Sequence, residues 1–313
     1  MQIIEQPHSI IQPGLVAGIG FFDGVHLGHR SLISNIISKA KARQMASAVI
    51  TFRTHPREVL HSDYCPQLIN TFEEKTGHLS ETGLDYCIVL NFTPEMSRMS
   101  AFDFIRFLKN NYSLECLFIG YDHRFGHNRV EDFDDYVKYG KTLDVNVLHA
   151  EMYMPEGKHV SSSAVRRLIS QGSVTEAAQL LTYPYTLQGH VVSGHRIGRT
   201  IGFPTANIVI NNPQKIVPAN GVYAAQIKPD GEKSYNGMVN IGKRPTVHTD
   251  GATCIEAHLF DFAGNLYGQN IEIRFIAHLR SEQKMSGLEE LTAQLQKDKE
   301  HAINILLHSP IPL

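Results

Sequence analysis

The sequence predicts two domains of different class: an α/β domain with a Rossmann-like parallel sheet, then a six-stranded antiparallel β-barrel with C-terminal helices. A length of 313 residues suits about two domains of ordinary size. In the first half, short apolar runs alternate with amphipathic segments, which is typical of a parallel sheet. Further on, β-branched runs follow one another between Gly, Asn and Pro, as in antiparallel barrels. We therefore expect domains over 1–183 and 184–313.

The beginning of the α/β domain has the clearest local pattern. Leu15–Ile19 is an apolar run that ends in a glycine-rich turn, and Ser31–Gln44 has apolar side chains at helical spacing. Ala48–Phe52 then returns as a buried strand, so these segments predict a parallel unit with a right-handed crossover. Further elements of this domain are predicted at Tyr86–Leu90, Ala101–Asn110, Leu117–Ile119 and Val145–Leu148.

A helical stretch precedes the barrel. Ala164–Ser170 and Thr175–Leu181 are predicted helices, with Ser161 or Ser162 as the N-cap of the first, and the pattern breaks near Pro184. The barrel strands are predicted at Gly221–Ile227, Tyr235–Ile241, Thr253–Phe260 and Asn270–Phe275, and a final helix covers Leu288–His308.

Composition excludes several classes of partner. The net charge of -2 gives no overall field that would favour nucleic acid or an anionic membrane. The four cysteines are far apart in the sequence, and this spacing argues against a zinc site or a disulfide framework. Met1–Ile10 lacks a basic segment before an apolar run, and no stretch approaches the roughly 20 apolar residues of a membrane span. We expect a cytoplasmic protein that binds neither nucleic acid nor membrane; its oligomeric state is open.

The first candidate site is the segment Gly20–His29, where a predicted strand passes into a helix. Glycines let the backbone approach an anion, and the free N–H groups of a helix start carry positive partial charge. His26 and His29 are three residues apart, so one helical turn would direct both imidazoles at the phosphates of ATP and at the departing pyrophosphate. A glycine turn with two surface histidines is the alternative interpretation.

This segment resembles the HxGH signature of the nucleotidyltransferase superfamily, in the form found in FAD synthetases. The segment 161–166 is similar to the Ser-Ser-Thr-x-Ile-Arg signature of adenylyltransferases, with Ser163 and Val165 in place of Thr and Ile. The resemblance implies catalytic roles for His26 and His29. It implies that ATP and its phosphates are bound by those two and by Gly20, Phe22, Asp23, Gly24, Gly28, Ser161, Ser162, Ser163 and Arg166.

A flavin pocket in the first domain is also implied. Gly120–Gly126 resembles the family's Gly-x-Asp-Phe-x-Phe-Gly segment, with His123 where the family has Phe. FMN contacts are implied for Asp122, Phe125, Asn128 and Arg129. For the last two, a polar loop is the competing interpretation.

The second candidate site lies in the barrel. The sequence has no GxxxxGK[ST] motif, so a kinase here needs another way to bind phosphate. In Gly198–Asn207, Thr205 and Asn207 offer hard oxygen ligands that suit Mg²⁺. A proline-containing barrel corner is the alternative. Glu256 is the candidate catalytic carboxylate, and strand alternation would place it on one face with His258; an exposed strand glutamate is the alternative.

The decapeptide resembles the Gly-Arg-x-x-Gly-Phe-Pro-Thr-Ala-Asn signature of riboflavin kinases, and Glu256 matches that family's catalytic glutamate. Asn240–Thr246 resembles a loop beside the substrates, and Leu279-Arg280 resembles the start of a flavin-covering flap. ATP and flavin contacts are implied for Gly198, Arg199, Gly202, Pro204, Thr205, Asn207, Arg244 and Arg280. Mg²⁺ would bind Thr205 and Asn207.

Together the resemblances cover nearly the whole chain and indicate a bifunctional prokaryotic riboflavin kinase/FAD synthetase. They imply phosphorylation of riboflavin to FMN by the second domain, and adenylylation of FMN to FAD with release of pyrophosphate by the first. ATP is the implied co-substrate of both steps, with Mg²⁺. Two alternatives remain: a first domain that adenylylates another mononucleotide, such as nicotinamide mononucleotide, or a flavin-binding protein whose sites have decayed. Production of ADP and pyrophosphate separates catalysis from binding.

Overall fold

The computed structural model describes residues 1–313 except 8–9, 61–62, 64, 121–123, 128–130, 151–152, 155–159, 195–196, 244–252 and 309–313, and except the side chains of 197 and 199. The chain forms two compact units, Met1–Ser162 and Ser163–Leu313. A parallel sheet and a closed antiparallel barrel are present, which confirms the predicted fold classes. The module boundary at residues 183 and 184 stays a prediction.

The first unit is built on a six-stranded sheet in the order β1-β4-β3-β2-β5-β6, and all of its ladders are parallel. The order reverses direction between β2 and β5, so the turn after β2 lies at a topological switch point, where open α/β sheets bind ligands. The strands are β1 (Gln2–Ile4), β2 (Leu15–Ile19), β3 (Ala46–Phe52), β4 (Tyr86–Leu90), β5 (Leu114–Ile119) and β6 (Asn146–His149).

Helices cover both faces of this sheet. On one face, Ile33 and Ile36 of the first long helix pack with Val16 and Val49, and on the other Phe104 and neighbouring side chains pack with alternate strand residues. The helices are α1 (Leu27–Arg43), α2 (Pro56–Leu60), α3 (Phe72–Ser80), α4 (Pro94–Ser97), α5 (Ala101–Tyr112) and α6 (Phe133–Thr142). Helices α3 and α6 were not predicted from the sequence, although a capping box marks the start of each.

The second unit is a closed barrel in the order β10-β11-β8-β7-β12-β9, with antiparallel ladders throughout. Its strands are β7 (Tyr185–Val192), β8 (Ala206–Ile210), β9 (Gly221–Pro229), β10 (Tyr235–Lys243), β11 (Thr253–Leu259) and β12 (Asn270–Arg280). Its helices are α8 (Val174–Leu181), α9 (Ile197–Thr200) and α10 (Leu288–His308), and α7 (Ser162–Ser170) begins at the last residue of the first unit.

Helix α10 packs on the barrel and buries one apolar face there. Ala302 and Leu306 join Phe203, Val222 and Met238 in a single apolar cluster. On α8, the hydroxyl of Thr175 donates a hydrogen bond to the carbonyl of Ile276, 2.9 Å away, and this contact attaches α8 to β12.

Two helix glycines should respond oppositely to alanine. A Cβ at Gly140 would lie 2.4 Å from the carbonyl oxygen of Val145, so Gly140→Ala should lower the free energy of unfolding by about 1–3 kcal/mol. A Cβ at Gly77, inside α3, meets nothing within 4 Å, and Gly77→Ala should raise it by about 1 kcal/mol. Urea unfolding followed by circular dichroism measures both, and equal effects of the two variants would contradict the close packing at Gly140.

Candidate active sites

The two histidines of the first site meet at the start of α1. The helix begins at Leu27, so His26 is its N-cap, and its Nδ1 accepts a hydrogen bond from the backbone N–H of His29 at 3.4 Å. The two imidazole rings stack with centroids 3.7 Å apart. The histidines are therefore together as expected, but a capping contact rather than one helical turn joins them. Because Nδ1 accepts, the proton of a neutral His26 lies on Nε2.

The turn before α1 has an unusual backbone. Gly24 has a φ of +86°, and Phe22 and Val25, which are not glycines, have φ values of +57° and +38°. Non-glycine residues in the left-handed region each cost of order 1–3 kcal/mol of folding free energy, and they cluster at functional sites. A Cβ at Gly28 would lie 3.2 Å from the ring of His26, so the glycine leaves room for that ring. The turn is thus shaped by close packing around the histidines.

Asp23 and Phe22 hold the turn from inside the protein. The buried carboxylate of Asp23 accepts hydrogen bonds from the backbone N–H groups of Ile69, 3.1 Å away, and Asn70, 3.0 Å away. The buried ring of Phe22 packs edge-on against His29, with centroids 5.1 Å apart. These contacts are with protein groups, and the ATP contacts expected of both residues stay predictions.

The serine-rich segment begins next to this turn. The hydroxyl of Ser162 donates a hydrogen bond to the carbonyl of Asp23 at 2.9 Å. Ser161 precedes α7, and Ser163 and Arg166 lie in its first two turns, within the second unit. Ser162 therefore contacts the turn within the first unit, and the phosphate contacts expected of Ser161, Ser162, Ser163 and Arg166 stay predictions.

The proposed FMN contacts are described only in part. Phe125 is buried, with its ring stacked on that of Tyr136 at 4.4 Å, and the Tyr136 hydroxyl contacts both the N–H and the carbonyl of Phe125. One face of the Phe125 ring is therefore occupied by the core. Asp122, His123, Asn128 and Arg129 lie outside the described residues.

Lys75, which the sequence analysis missed, lies beneath the same turn. Its Nζ donates to the carbonyls of Phe21 and Phe52 and to the hydroxyl of Thr51. Burial lowers the pKa of Lys75 to about 8. A lysine in a segment without apolar periodicity gave no signal in the sequence.

In the second site, two signature glycines satisfy backbone requirements. A Cβ at Gly198 would lie 2.2 Å from the carbonyl oxygen of Phe203, whose N–H donates to the Gly198 carbonyl at 2.8 Å. Gly202 has a φ of +81°, in the left-handed region. The loop that leads to Thr205 therefore depends on both glycines. The side chain of Arg199 and all of Arg244 lie outside the described residues.

A hydroxyl, an amide and a carboxylate lie close together where β8 begins. Glu256 on β11 is the ladder partner of Asn207 on β8, and the hydroxyl of Thr205 donates to the Glu256 carboxylate at 3.4 Å. The thiol of Cys254, a residue that the sequence analysis did not single out, lies 3.6 Å from Glu256 Oε1 and 3.8 Å from Asn207 Oδ1. These side chains form one polar cluster.

His258, two residues after Glu256 on β11, holds the loop in place. Its Nδ1 lies 2.8 Å from the carbonyl oxygen of Pro204, so this nitrogen carries the proton. Burial lowers the pKa of His258, which favours the neutral ring. Glu256 and His258 line the same cavity, as the strand alternation predicts.

Two cavities of the barrel unit meet at Thr205. The first, of about 280 Å³, is lined by Thr205 and Glu256 and by the apolar side chains of Phe203, Met238, Met285, Leu291 and Leu295. The second, of about 310 Å³, is lined by Thr205 and by Pro204, Ala206, Leu259, Phe262 and Tyr267. Both volumes are close to the lower end of small-molecule sites, about 300 Å³. Thr205 would therefore border a ligand bound in either cavity.

Arg280 lines the first cavity, but its guanidinium is already bound. Asp298 of α10, a buried carboxylate, accepts hydrogen bonds from Arg280 Nε at 3.0 Å and from Nη2 at 2.8 Å. The flavin or ATP contact expected of Arg280 stays a prediction. The pair attaches α10 to the end of β12, a long-range contact that the sequence does not reveal.

Comparison with known proteins identifies the two halves. The FAD synthetase family model matches residues 8–164, and the riboflavin kinase family model matches residues 181–306. The bifunctional riboflavin kinase/FMN adenylyltransferase of Escherichia coli (strain K12) is 35% identical over 303 residues, with 96% of each chain covered. That of Bacillus subtilis (strain 168) is 36% identical over 313 residues, again with 96% of each covered.

The chain belongs to the bifunctional riboflavin kinase/FMN adenylyltransferase family. It is a transferase with an N-terminal FMN adenylyltransferase part and a C-terminal riboflavin kinase part. The order of the two parts and the names of the relatives favour this function over adenylylation of another mononucleotide.

A solved structure shares the fold of this bifunctional enzyme over almost its whole length. A chain from Streptococcus pneumoniae, titled as a macrolide-efflux protein, is 28% identical with a TM-score of 0.85, and 97% of this chain and 99% of that one are covered. In the part of the present chain that the structure describes, no helix is long and apolar enough to cross a membrane.

The requirement for a glycine at position 198 can be tested by substitution. Gly198→Ala should lower riboflavin phosphorylation by about 100-fold, since the added Cβ displaces Phe203 and with it Thr205. Gly231→Asn is the control, because Gly231 lies in the turn after β9, has open space around its Cα and has a φ that Asn tolerates. Both variants are assayed for FMN and for adenylylation of supplied FMN. Unchanged kinase activity in Gly198→Ala would contradict the loop's role.

Proposed function

We propose that the chain makes FAD from riboflavin in two ATP-dependent steps, one at each of the two candidate sites described above. The barrel site transfers the γ-phosphoryl group of ATP to riboflavin and yields FMN and ADP. The site around His26 and His29 then transfers AMP from a second ATP to FMN and releases pyrophosphate. The observation that carries the kinase assignment is Thr205, which lines two cavities and hydrogen-bonds to Glu256.

In the kinase step, riboflavin occupies the cavity that contains Glu256. Its apolar lining suits an isoalloxazine ring, and the carboxylate of Glu256 orients the ribityl hydroxyl and accepts its proton. ATP occupies the second cavity, where Phe262 and Tyr267 offer aromatic surface to the adenine. The γ-phosphoryl group then lies at Thr205, between the two substrates.

Thr205 and Asn207 are the proposed ligands of Mg²⁺. The residues fit the ion, because a hydroxyl and an amide oxygen next to a carboxylate form a hard oxygen donor set. When bound, Mg²⁺ supplies charge neutralisation on the ATP phosphates. The hydrogen bond that His258 Nδ1 donates to the carbonyl of Pro204 keeps the loop in place for this arrangement.

In the adenylylation step, the phosphate of FMN attacks the α-phosphorus of ATP in line with the departing pyrophosphate. Since this phosphate is already a nucleophile at neutral pH, electrostatic stabilisation is the main catalytic term. The imidazoles of His26 and His29 and the N–H groups at the start of α1 donate to the phosphates. Ser161, Ser162, Ser163 and Arg166 bind the β- and γ-phosphates.

A cytoplasmic location is part of this proposal. Both steps use ATP, and none of Cys65, Cys87, Cys116 and Cys254 forms a disulfide, as in proteins of a reducing compartment.

The first experiment is chromatography of flavins after the pure protein is incubated with riboflavin, ATP and Mg²⁺. FMN should appear first and FAD afterwards, with ADP and pyrophosphate as the other products. If FMN forms but no FAD appears, even when FMN is supplied directly, the assignment of the first unit is contradicted. The absence of any FMN would contradict that of the barrel.

His29→Ala should stop FAD formation while FMN accumulates. The variant removes one imidazole from the stacked pair and so lowers stabilisation of charge on the departing pyrophosphate, which we expect to cost about 100-fold or more in rate. Its riboflavin kinase activity is the internal control for folding. Normal FAD formation by this variant would refute the role of the pair.

Glu256→Gln should stop FMN formation while supplied FMN is still converted to FAD. Loss of the carboxylate removes the proton acceptor for the ribityl hydroxyl, at an expected cost of about 100-fold or more. Glu232→Gln, in an exposed hairpin, is the matched control and should keep both activities. If Glu256→Gln abolished both, the two sites would not be independent.

A further inference from the structure

Lys75 is a buried charge to which neither step assigns a role. Its side chain lies on α3, and the residue is 3% exposed. Nζ donates to the carbonyl of Phe21 at 3.1 Å, to the hydroxyl of Thr51 at 3.2 Å and to the carbonyl of Phe52 at 3.0 Å. Among the described residues, no carboxylate forms an ion pair with it. The three acceptors, two carbonyls and a hydroxyl, are neutral groups.

The three acceptors match the three hydrogens of an ammonium group. Phe52 ends β3, and Phe21 belongs to the turn after β2, so one nitrogen links the carboxyl ends of two neighbouring strands. The hydroxyl of Thr51 also donates to the Phe21 carbonyl at 3.1 Å. A neutral amine has two hydrogens, and it could keep all three contacts only if the Thr51 hydroxyl turned to donate to the amine and gave up its bond to the Phe21 carbonyl. The network with the Thr51–Phe21 bond in place therefore uses the charged form of Lys75.

The segment that carries Lys75 holds the turn at a second point. The N–H groups of Ile69 and Asn70, just before α3, donate to the carboxylate of Asp23. Phe21 and Asp23 are therefore both held by one short stretch of chain, and His26 follows three residues later. A shift of this stretch would move the turn and both imidazoles with it.

Stability alone does not account for a lysine here. Burying a cation among neutral acceptors carries a desolvation cost, and an apolar side chain of similar length is often the more stable choice. We infer that Lys75 is a positioning residue of the adenylyl-transfer site, whose ammonium fixes the Phe21 carbonyl and thereby the turn that presents His26 and His29 to ATP. This inference rests on the proposed roles of the two histidines.

The charge of Lys75 predicts a pH dependence. Burial lowers its pKa from 10.5 to about 8, so the ammonium is present below pH 8 and is lost as the pH rises above it. The groups that face it are the Cys87 thiol on β4, the Asp23 carboxylate and the Arg53 guanidinium. Burial raises the pKa of Cys87 to about 11, so the thiol stays neutral over this range. Adenylyl transfer should therefore fall above pH 8.

Stability should respond to the same titration with the opposite sign. Between pH 8 and 10.5 the unfolded chain retains the proton on Lys75 while the folded chain has lost it. The unfolded state then binds more protons, so this group makes the folded state more stable as the pH rises. If activity fell above pH 8 because the protein unfolded, stability would fall over the same pH range instead of rising.

The test is Lys75→Met in the full chain, with Lys41→Met as the matched loss of an exposed charge on α1. We expect kcat for adenylylation of FMN to fall by about 30-fold or more in Lys75→Met, because the turn loses its fixed geometry. The fall in adenylylation above pH 8 should disappear. Riboflavin phosphorylation and the urea midpoint should not fall, and Lys41→Met should behave as wild type.

A second variant keeps the inference testable if Lys75→Met does not fold. Thr51→Val removes one of the three acceptors, so the fall in adenylylation should move to lower pH, while an unmoved profile would overturn the inference. Full adenylylation by a folded Lys75→Met protein would also overturn it. His29→Ala separates the two failures: if that variant is inactive and Lys75→Met is active, the site assignment stands and the role of Lys75 does not.

Discussion

The proposed adenylyl-transfer site depends on one constrained turn, between β2 and α1. Phe22, Gly24 and Val25 all take left-handed backbone conformations there, and a chain released from its neighbours would not keep them. Hydrogen bonds to the Asp23 carboxylate and from Lys75 to Phe21 hold the turn on its inner side. The turn leads directly into His26, the N-cap of α1, so the strained backbone also sets the position of the two imidazoles.

The barrel site reaches its geometry through a different backbone constraint. The close approach of Gly198 to the Phe203 carbonyl folds the loop back, and Thr205 leaves it at the junction of two cavities. The β8–β11 ladder then sets Asn207 opposite Glu256. Since a strand pair fixes this spacing, the carboxylate and the amide oxygen stay together without a ligand, which is the preorganisation that phosphoryl transfer requires.

Periodic segments and contiguous signatures could be predicted from the sequence, and contacts between distant segments could not. Leu15–Ile19 and Tyr86–Leu90 are strands with the predicted bounds, because buried parallel strands are short apolar runs. Helix α3 was missed because two of its three buried side chains are Lys75 and Thr76, which hide the apolar period. The pairing of Arg280 with Asp298 likewise depends on how α10 packs on the barrel.

In the proposed mechanism the two sites bind the phosphates of the same nucleotide by different means, and the chemistry of each step accounts for the difference. Adenylylation develops charge on a departing pyrophosphate, and helix N–H groups with two imidazoles can follow that charge over several oxygens. In the proposed kinase step, transfer to a ribityl hydroxyl uses Glu256 as the base, so a carboxylate lies beside the negatively charged phosphates of ATP. A bound Mg²⁺ would offset that repulsion, and the oxygens of Thr205 and Asn207 beside the carboxylate suit such an ion. In the first unit the Asp23 carboxylate instead accepts hydrogen bonds from backbone N–H groups.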